Sequence, residues 1–350
     1  MNARPRQVGV SIRRGPSIVA AFVAAVLLLA TGCSSPSAPG QSSPPLPSAG
    51  QTTPSPSDTT TALATEGPRA PATGAWVGAW VRPAAGADDQ SGRVAAVAAF
   101  EQSIGRPLDV VHVFHKWADD FPSSADLQFV QSGKVLLISW AGTDLKTILS
   151  GSQDAIIKAR ADQVKALQTP VLLRWRWEMN RPNLQASIGT PADYVAAWKH
   201  IRAIFTTVGA TNVGWVWCPL ASGFTATNAP AYYPGDDQVD WLCTDVYGGP
   251  TNISFASVAT DFTTWAAAHQ KPIIIGEYGA RSTDPDKAGW IRGATAFAVA
   301  HPQIKAMVYF NASRVENGTN RDFRVESAPA PLQAFKAMAS EPYFNQRRGL

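Results

Sequence analysis

Between residues 75 and 311, short apolar runs alternate with longer amphipathic segments. The short runs are rich in β-branched and aromatic residues, which favour strands, whereas the longer segments have the length and spacing of helices. The pattern predicts strands at 75–81, 109–114, 135–140, 171–176, 213–218, 239–245, 272–276 and 306–311. It predicts helices at 154–167, 192–208, 255–269 and 286–300.

Eight strand–helix units over about 270 residues match a (β/α)8 TIM barrel, a fold that typically needs about 250 residues. The run Ile273-Ile274-Ile275 does not alternate with polar residues, as expected for a parallel strand that is buried on both faces. The sequence therefore predicts an α/β barrel over residues 74–345. In this fold the chemistry lies at the C-terminal ends of the strands.

The first 33 residues have the pattern of an export signal. Four arginines precede an unbroken apolar run at 18–30, which is too short to span a bilayer but fits a signal peptide. The following Thr31-Gly32-Cys33 completes a stretch that resembles a bacterial lipobox. We expect residues 1–32 to be removed and Cys33 to carry a lipid that holds the protein on the extracytoplasmic face of the cell membrane. The alternative is a secreted protein that is cut nearby.

Residues 33–73 are rich in Pro, Ser and Thr and predict a flexible linker, because such a segment buries too little apolar surface to fold. The formal charge of the chain is +4, but the four arginines before Cys33 are accompanied by no acidic residue, so the remainder has no basic excess. This balance argues against nucleic acid as a partner. Hydrophobic residues make up 45% of the chain, which excludes a fully disordered protein.

Two of the seven glutamates follow strongly apolar strands. Glu178 ends Val171-Leu-Leu-Arg-Trp-Arg-Trp-Glu178, and Glu277 ends Ile273-Ile-Ile-Gly-Glu277. A carboxylate at a barrel strand end is costly unless it has partners or a chemical task. Retaining glycoside hydrolysis needs two such groups, one as acid/base and one as nucleophile, about 5–5.5 Å apart. Pairing with a nearby arginine, such as Arg174, Arg176 or Arg281, is the structural alternative for each glutamate.

The chain resembles glycoside hydrolase family 26, the clan A barrels that include β-mannanases. The resemblance spans most of the predicted barrel and rests on segments in the right order, at 109–117, 137–140, 174–180, 212–219, 232–237, 239–247, 272–279, 308–311 and 322–324. It implies that Glu178 is the acid/base and that Glu277 is the nucleophile. The chain departs from the family at Trp177, where a histidine is usual, and at Tyr309, where a tryptophan is usual. Both departures put mannan specificity in doubt more than catalysis.

Aromatic residues at or just past predicted strand ends suit a glycan cleft, because sugar rings present apolar C–H faces. The predicted substrate-binding residues are His115, Trp117, Trp140, Trp177, Asn180, Trp217, Tyr247, Tyr278 and Tyr309. His112 is expected to be a packed interior residue. The His112-x-x-His115 spacing does not indicate a metal, since an extended strand points the two rings in different directions and no acidic cluster accompanies them. We expect no cofactor and a monomer.

Cys218 and Cys243 remain after Cys33 and lie on predicted neighbouring strands. They are either bonded or two buried thiols, and the sequence does not decide between them. The predicted function is retaining, endo-type hydrolysis of a β-linked polysaccharide, with β-mannan first by resemblance. The alternative is a glycan-binding surface lipoprotein on a barrel that has lost efficient catalysis.

Overall fold

A computed structural model describes residues 66–83, 87–225, 228–249, 253–316 and 319–344. The predicted signal peptide, Cys33 and the first part of the predicted linker lie outside these ranges. None of the helices in the described ranges is long and apolar enough to cross a membrane.

Eight parallel strands close into a barrel in chain order, with β1 paired to β8. The strands are β1 (Trp76–Val81), β2 (Val110–His115), β3 (Val135–Trp140), β4 (Val171–Trp175), β5 (Val213–Trp217), β6 (Trp241–Tyr247), β7 (Ile273–Gly279) and β8 (Ile304–Asn311). All eight predicted strands are confirmed, and their ends differ from the prediction by at most three residues. The predicted fold class is therefore correct.

Helices surround the barrel. They are α1 (Gln90–Ile104), α2 (Ser124–Gln131), α3 (Leu145–Leu149), α4 (Asp154–Ala166), α5 (Gln185–Ile188), α6 (Pro191–Val208), α7 (Ser222–Thr225), α8 (Phe255–Ala266), α9 (Lys287–Ala300) and α10 (Pro329–Ser340). The four predicted helices are confirmed as α4, α6, α8 and α9. Local signals fix α6, which begins at a capping box of Thr190 and Asp193 with Pro191 in its first turn and ends at Gly209 with φ of 77°.

Successive side chains of each strand point alternately into the barrel and out towards the helices, and two apolar layers result. The inner layer includes Val110, Leu172, Cys243 and Ile274. The outer and much larger layer packs the other face of the strands against the helices. This alternation decides which strand residues can reach a substrate, because only inward-pointing residues near the C-terminal ends line the mouth of the barrel.

The N-terminal segment (residues 66–72) packs against the opposite end of the barrel, where the strands begin. The indole N–H of Trp241, the first residue of β6, donates to the carbonyl oxygen of Pro68 at 3.2 Å. Pro68 is buried, and Ala70 packs against the inner apolar layer. The prediction of a flexible linker up to residue 73 is therefore wrong at its end, since the packed domain begins by residue 66.

A two-stranded hairpin follows β8 and was not predicted. Its strands, β9 (Ser313–Glu316) and β10 (Thr319–Asp322), pair antiparallel beside the C-terminal mouth of the barrel. Phe323 directly after the hairpin packs with Phe310 and Ala312 of the β8 end. The hairpin therefore forms part of one wall of the mouth.

Candidate active site

Glu178 lies in a strained turn that follows β4. Its φ is 54°, and that of Arg176 is 49°, both in the left-handed region that residues other than glycine rarely adopt. The backbone N–H of Glu178 donates to the carbonyl oxygen of Cys218 at 2.7 Å, which ties the turn to the end of β5. The Glu178 carboxylate accepts a hydrogen bond from Arg181 Nη1 at 2.6 Å. Backbone strain at a buried carboxylate is typical of a functional site.

Glu277 lies within β7 and points into the barrel mouth. One carboxylate oxygen accepts a hydrogen bond from Arg174, and the other accepts one from the hydroxyl of Tyr247. Both glutamates are 6% exposed and line the same cleft. The structure therefore brings together the two carboxylates that the sequence singled out.

Arg174 of β4 connects the nucleophile candidate to the barrel interior. Its guanidinium is fully buried and donates from Nη1 to Asp245 at 2.8 Å, from Nε to Ser139 Oγ at 2.7 Å, and to Glu277. Two carboxylates thus compensate a buried cation, whose removal would leave uncompensated charge. Because its donors are fixed in a planar fork, Arg174 orients the carboxylate of Glu277.

His112 of β2 is part of the same network and does not face the substrate space. Its Nε2 lies 3.2 Å from Arg174 Nη2 and 2.7 Å from Ser139 Oγ. Burial, helped by the Arg174 charge, lowers the pKa of His112 well below its usual value, so the ring is neutral. The guanidinium can only donate, so Nε2 accepts and Nδ1 carries the proton. The prediction that His112 is a packed interior residue is confirmed.

The two carboxylates differ in their electrostatic surroundings. Burial raises the pKa of Glu178, and the nearby negative charge of Glu277 raises it further, against the opposing effect of Arg181. Glu277 instead accepts hydrogen bonds from a permanent cation, Arg174, and from the phenol of Tyr247. One cleft therefore holds a carboxyl group with a raised pKa beside a second carboxylate that a cation and a phenol orient, an arrangement suited to an acid/base and a nucleophile.

Aromatic side chains form the walls of this cleft, whose volume is about 760 Å³. Trp177 and Tyr247, both predicted, line it. Four aromatic residues that the sequence analysis did not single out also line it, namely Trp80, Phe114, Phe310 and Phe323. The guanidinium carbon of Arg174 lies 5.2 Å from the centre of the Trp177 ring, a cation–π contact that holds the indole against the cleft.

Five residues that we predicted to bind substrate lie in the outer layer of the barrel wall and do not line the cleft. These are Trp117, Trp140, Trp217, Tyr278 and Tyr309, which have exposed fractions of 9% or less. Trp117 stacks on Trp140 with ring centres 4.3 Å apart, and Trp217 donates to the carbonyl oxygen of Tyr232 at 3.0 Å. The prediction is wrong for these residues, because they sit at outward-pointing strand positions or pack against the helices.

His115 and Asn180 are also engaged elsewhere. His115 Nε2 lies 2.8 Å from a carboxylate oxygen of Asp126 in the first turn of α2, on the outer face of the barrel. Asn180 accepts from the backbone N–H of Leu220 at 2.8 Å and so ties the loop after β4 to the loop after β5. Neither lines the cleft, so the prediction that they bind sugar is wrong. Asn180 instead supports the turn that carries Glu178.

Cys218 and Cys243 are joined by a disulfide, with Cα atoms 4.3 Å apart. The bond connects the end of β5 to β6 inside the barrel, beneath the carboxylate pair. Within the described ranges, the single group of three potential metal ligands is Cys218, Cys243 and Asp245. Its two sulfurs are bonded to each other and Asp245 is paired with Arg174, so this group does not fit a metal ion.

Known proteins resemble this chain both in the sequence around the two glutamates and in the fold. Residues 120–279 match the model of glycosyl hydrolase family 26. The matched segment contains both Glu178 and Glu277. The chain is 31% identical over 283 residues to endoglucanase H of Acetivibrio thermocellus, covering 75% of this chain and 30% of that protein. It is 26% identical over 255 residues to a β-1,3-xylanase of a Vibrio species, covering 62% of this chain and 53% of that protein.

Solved structures show the same fold. The catalytic domain of a family 26 endo-β-1,4-mannanase from Bacillus sp. JAMB-750 superposes with a TM-score of 0.60 at 15% identity, over 77% of this chain and 87% of that one. A family 26 β-mannanase from Bacteroides ovatus superposes with a TM-score of 0.57 at 17% identity, over 78% of this chain and 90% of that one. The chain thus spans about a third and about half of the two curated relatives, whereas it matches most of each solved domain.

Proposed function

We propose that the chain is a family 26 enzyme that hydrolyses a β-linked polysaccharide internally and with retention of anomeric configuration. The observation that carries the proposal is the pair of buried carboxylates in one aromatic-walled cleft, each with different partners. Glu277 is held by Arg174 and Tyr247, whereas Glu178 has a raised pKa and contacts Arg181. A binding protein needs neither the pair nor the different partners of its two members.

In the proposed mechanism, Glu277 attacks the anomeric carbon while Glu178 protonates the leaving glycosidic oxygen. The glycosyl–enzyme ester that forms on Glu277 is then hydrolysed by a water molecule that the Glu178 carboxylate deprotonates, and the net configuration is retained. Arg174 and Tyr247 orient the Glu277 carboxylate for attack and stabilise its negative charge before the first step and on its release in the second. The raised pKa of Glu178 suits this alternation, since a general acid works best when its pKa is near the working pH.

We propose that the substrate is a β-linked polysaccharide. β-Mannan is the first candidate and β-glucan is the second. β-Mannan is supported by the family resemblance and by the β-mannanases that share the fold. β-Glucan is supported by the endoglucanase, the relative with the higher identity of the two curated proteins described above. Incubating the protein with purified mannan, β-glucan and β-1,3-xylan, followed by chromatography of the released oligosaccharides, would rank the three. Early products of mixed length indicate endo action.

The division of roles predicts different losses for the two alanine variants. Glu277→Ala should abolish turnover of every substrate, because no covalent intermediate can form. Glu178→Ala should lower the hydrolysis of polysaccharide by roughly 10²–10⁴-fold but should affect aryl glycosides with activated leaving groups far less in the first step. The glycosyl–enzyme should then accumulate and be visible by mass spectrometry of the intact protein.

Azide distinguishes the two variants, because it needs no base. It should restore turnover to Glu178→Ala and give a β-configured glycosyl azide, whereas with Glu277→Ala it should give the inverted azide or no product. A loss of only about twofold in either variant would exclude that residue from the chemistry. An inverted product from the unmutated enzyme would disprove the retaining mechanism.

We also propose that Cys33 carries the lipid anchor. The lipobox-like sequence and the Pro-, Ser- and Thr-rich segment after it support this proposal. Such an anchor would hold the protein on the extracytoplasmic face of the membrane, a compartment compatible with a polysaccharide substrate and with the Cys218–Cys243 disulfide.

A further inference from the structure

The Cys218–Cys243 disulfide lies among the charged groups beneath the carboxylate pair. Both cysteines are fully buried in the inner layer, and the bond joins the end of β5 to β6. Closing a loop does not require this position, because a bond between other neighbouring strands of the barrel could close a loop of comparable length. We therefore asked what the two cysteines contact at the site.

On the acid/base side, the backbone of Cys218 supports the turn that carries Glu178. Its carbonyl oxygen accepts the hydrogen bond from the Glu178 N–H at 2.7 Å. The ladder between β4 and β5 ends at Leu173 and Trp215, so this hydrogen bond continues the attachment beyond the paired residues. The left-handed backbone of Arg176 and Glu178 persists only where surrounding contacts hold it. A movement of Cys218 would therefore displace the turn.

On the nucleophile side, the sulfur of Cys218 touches the two side chains that lie behind Glu277. Cys218 Sγ lies 3.5 Å from Arg174 Nη1 and 3.4 Å from Asp245 Oδ1. The same arginine nitrogen donates to Asp245 at 2.8 Å, and Arg174 Nη2 donates to Glu277. A disulfide sulfur carries no proton, so it leaves the Asp245 oxygen to Arg174. A free thiol would carry a proton that can bond to that oxygen.

Cys243 brings the strand of the nucleophile into the same contact. Gly276 directly precedes Glu277 in β7 and has no side chain. A methyl group added there would lie 2.5 Å from Cys243 Sγ, 2.7 Å from Arg174 Nη1 and 3.0 Å from Asp245 Oδ1. Atoms do not pack this closely, so glycine is what lets the backbone of β7 approach the disulfide. The strand that carries Glu277 is therefore packed directly onto the bond.

We propose that the disulfide positions the carboxylate pair for catalysis, with Cys218 as the positioning residue for both glutamates. Its carbonyl oxygen holds the turn of Glu178, and its sulfur confines the arginine that orients Glu277. Fixing Cys218 to β6 thus sets the two carboxylates relative to each other. The inference rests on the proposed hydrolase function, because retaining hydrolysis depends on the separation of the two carboxyl groups. A misplacement of about 1 Å can lower the rate of such a site by about 100-fold.

Cys243→Ala tests the proposal, because it breaks the bond and leaves the Cys218 sulfur in place. It should lower kcat on an activated aryl β-glycoside by at least about tenfold, with KM changed by less than about twofold, since the small substrate still binds but meets misplaced carboxylates. The unmutated pair, reduced with a dithiol in denaturant and refolded with the dithiol present, should show the same loss. Reoxidation should restore kcat. All forms carry Cys33→Ala, so that no third thiol interferes.

Ile201→Ala is the matched control for lost stability. Ile201 of α6 is fully buried in the outer layer and does not line the cleft. Its truncation should destabilise the domain, as breaking the disulfide does, and leave kcat unchanged at a temperature at which circular dichroism shows both variants to be folded. Unchanged kcat in Cys243→Ala, or an equal loss in Ile201→Ala, would overturn the inference.

The pKa of Glu178 separates this inference from the proposed function, because NMR titration of ¹³C-labelled glutamate measures it without substrate. Burial is the largest cause of its raised pKa, so release of the turn should admit water and lower that pKa in Cys243→Ala but not in Ile201→Ala. The titratable and charged groups around Glu178 are Arg174, Arg181, Asp245, Tyr247 and Glu277.

The two measurements assign each outcome. If the unmutated protein hydrolyses no substrate, the hydrolase proposal fails and the pKa of Glu178 decides the inference: a fall in Cys243→Ala alone supports it, and an unchanged value overturns it. If the unmutated protein hydrolyses substrate and Cys243→Ala loses no more kcat than Ile201→Ala, the inference is overturned and the hydrolase proposal stands.

Discussion

Tyr247 and Arg174 hold the two oxygens of Glu277 by different means. The arginine supplies charge from the barrel interior, whereas the phenol supplies a single hydrogen bond from the end of β6. Burial and the Glu277 charge raise the pKa of Tyr247 well above its usual value, so its hydroxyl keeps its proton at any working pH. Tyr247 is therefore a permanent donor to the proposed nucleophile.

Replacing Tyr247 by phenylalanine should lower kcat on aryl glycosides by about 10- to 100-fold. A hydrogen bond to a charged group contributes about 1.5–3 kcal/mol, and that contribution would be lost from the positioning of Glu277. Steady-state kinetics measure the effect. Tyr233→Phe removes an equivalent hydroxyl–carboxylate contact, with Asp236, away from the cleft and should leave kcat unchanged. Equal losses in both variants would contradict a positioning role for Tyr247.

Arg181 sets the protonation of the proposed acid. It lowers the pKa of Glu178 through its charge and its hydrogen bond, so Arg181→Gln should raise that pKa further. Because Glu178 must be protonated in the first step, the alkaline limb of the pH profile of kcat/KM should move to higher pH in this variant. Arg181→Lys keeps the charge and should move the limb less. A limb that stays in place, or moves to lower pH, would show that Glu178 is not the acid.

At the scale of single residues, the sequence predicted the positions of the two carboxylates better than the positions of the aromatic side chains. Glu178 and Glu277 stand out because a carboxylate at the end of an apolar strand is costly to bury and is rarely found there without a partner or a chemical task. The position of an aromatic residue depends on whether its side chain points inward, and Tyr278 is adjacent to Glu277 in the strand, so it must point outward. Counting alternate positions from Glu277 would have excluded Tyr278 from the cleft. The same alternation on β8 places Phe310 in the cleft and the adjacent Tyr309 in the outer layer.

Among the elements, β5 and β6 have a covalent link as well as parallel pairing. The sequence predicted that they are neighbours but left their cysteines undecided, because bonding depends on both residues sharing a face and a level. Both point into the barrel, in the inner layer. The β9–β10 hairpin was missed since its eight strand residues are largely polar and lack the apolar runs that mark the barrel strands.

Removing the disulfide should destabilise the barrel and leave its fold intact. The bond closes a loop with a sequence separation of 25 residues, for which chain entropy predicts a stabilisation of about 3.5 kcal/mol. The double variant Cys218→Ala/Cys243→Ala should lose about this much free energy of unfolding in denaturant titrations. Thiol titration of the denatured, unreduced protein gives an independent reading, and two free thiols besides Cys33 would disprove the bond.

At the scale of the whole molecule, the apolar pattern predicted the order of the barrel strands but not the residue at which the folded domain begins. The N-terminal segment contacts the beginnings of β5 and β6, since a methyl group added to Gly214 would lie 3.2 Å from Pro68. Composition alone assigned this segment to the linker, because prolines and small residues are common to linkers and to extended segments packed on a surface. The hydrogen bond from the indole N–H of Trp241 to the carbonyl oxygen of Pro68 shows that this segment is packed on the barrel.

Cys33→Ala should abolish membrane association without affecting the barrel. In a host that lipidates exported proteins, the unmutated chain should partition into detergent and the variant should be released in a folded form with equal activity on soluble substrate. Mass spectrometry of the N-terminal peptide would show whether Cys33 is acylated. Unmodified Cys33 in the native protein, or a wild-type chain that stays soluble without detergent, would contradict the proposal.

The contact between Pro68 and Trp241 also determines where the predicted linker joins the barrel. The chain enters the barrel at the end where the strands begin, whereas the cleft opens at the end where they finish. With the proposed lipid at Cys33, the linker would reach the barrel on the face away from the cleft, so that membrane attachment would leave the cleft mouth open to a polymer.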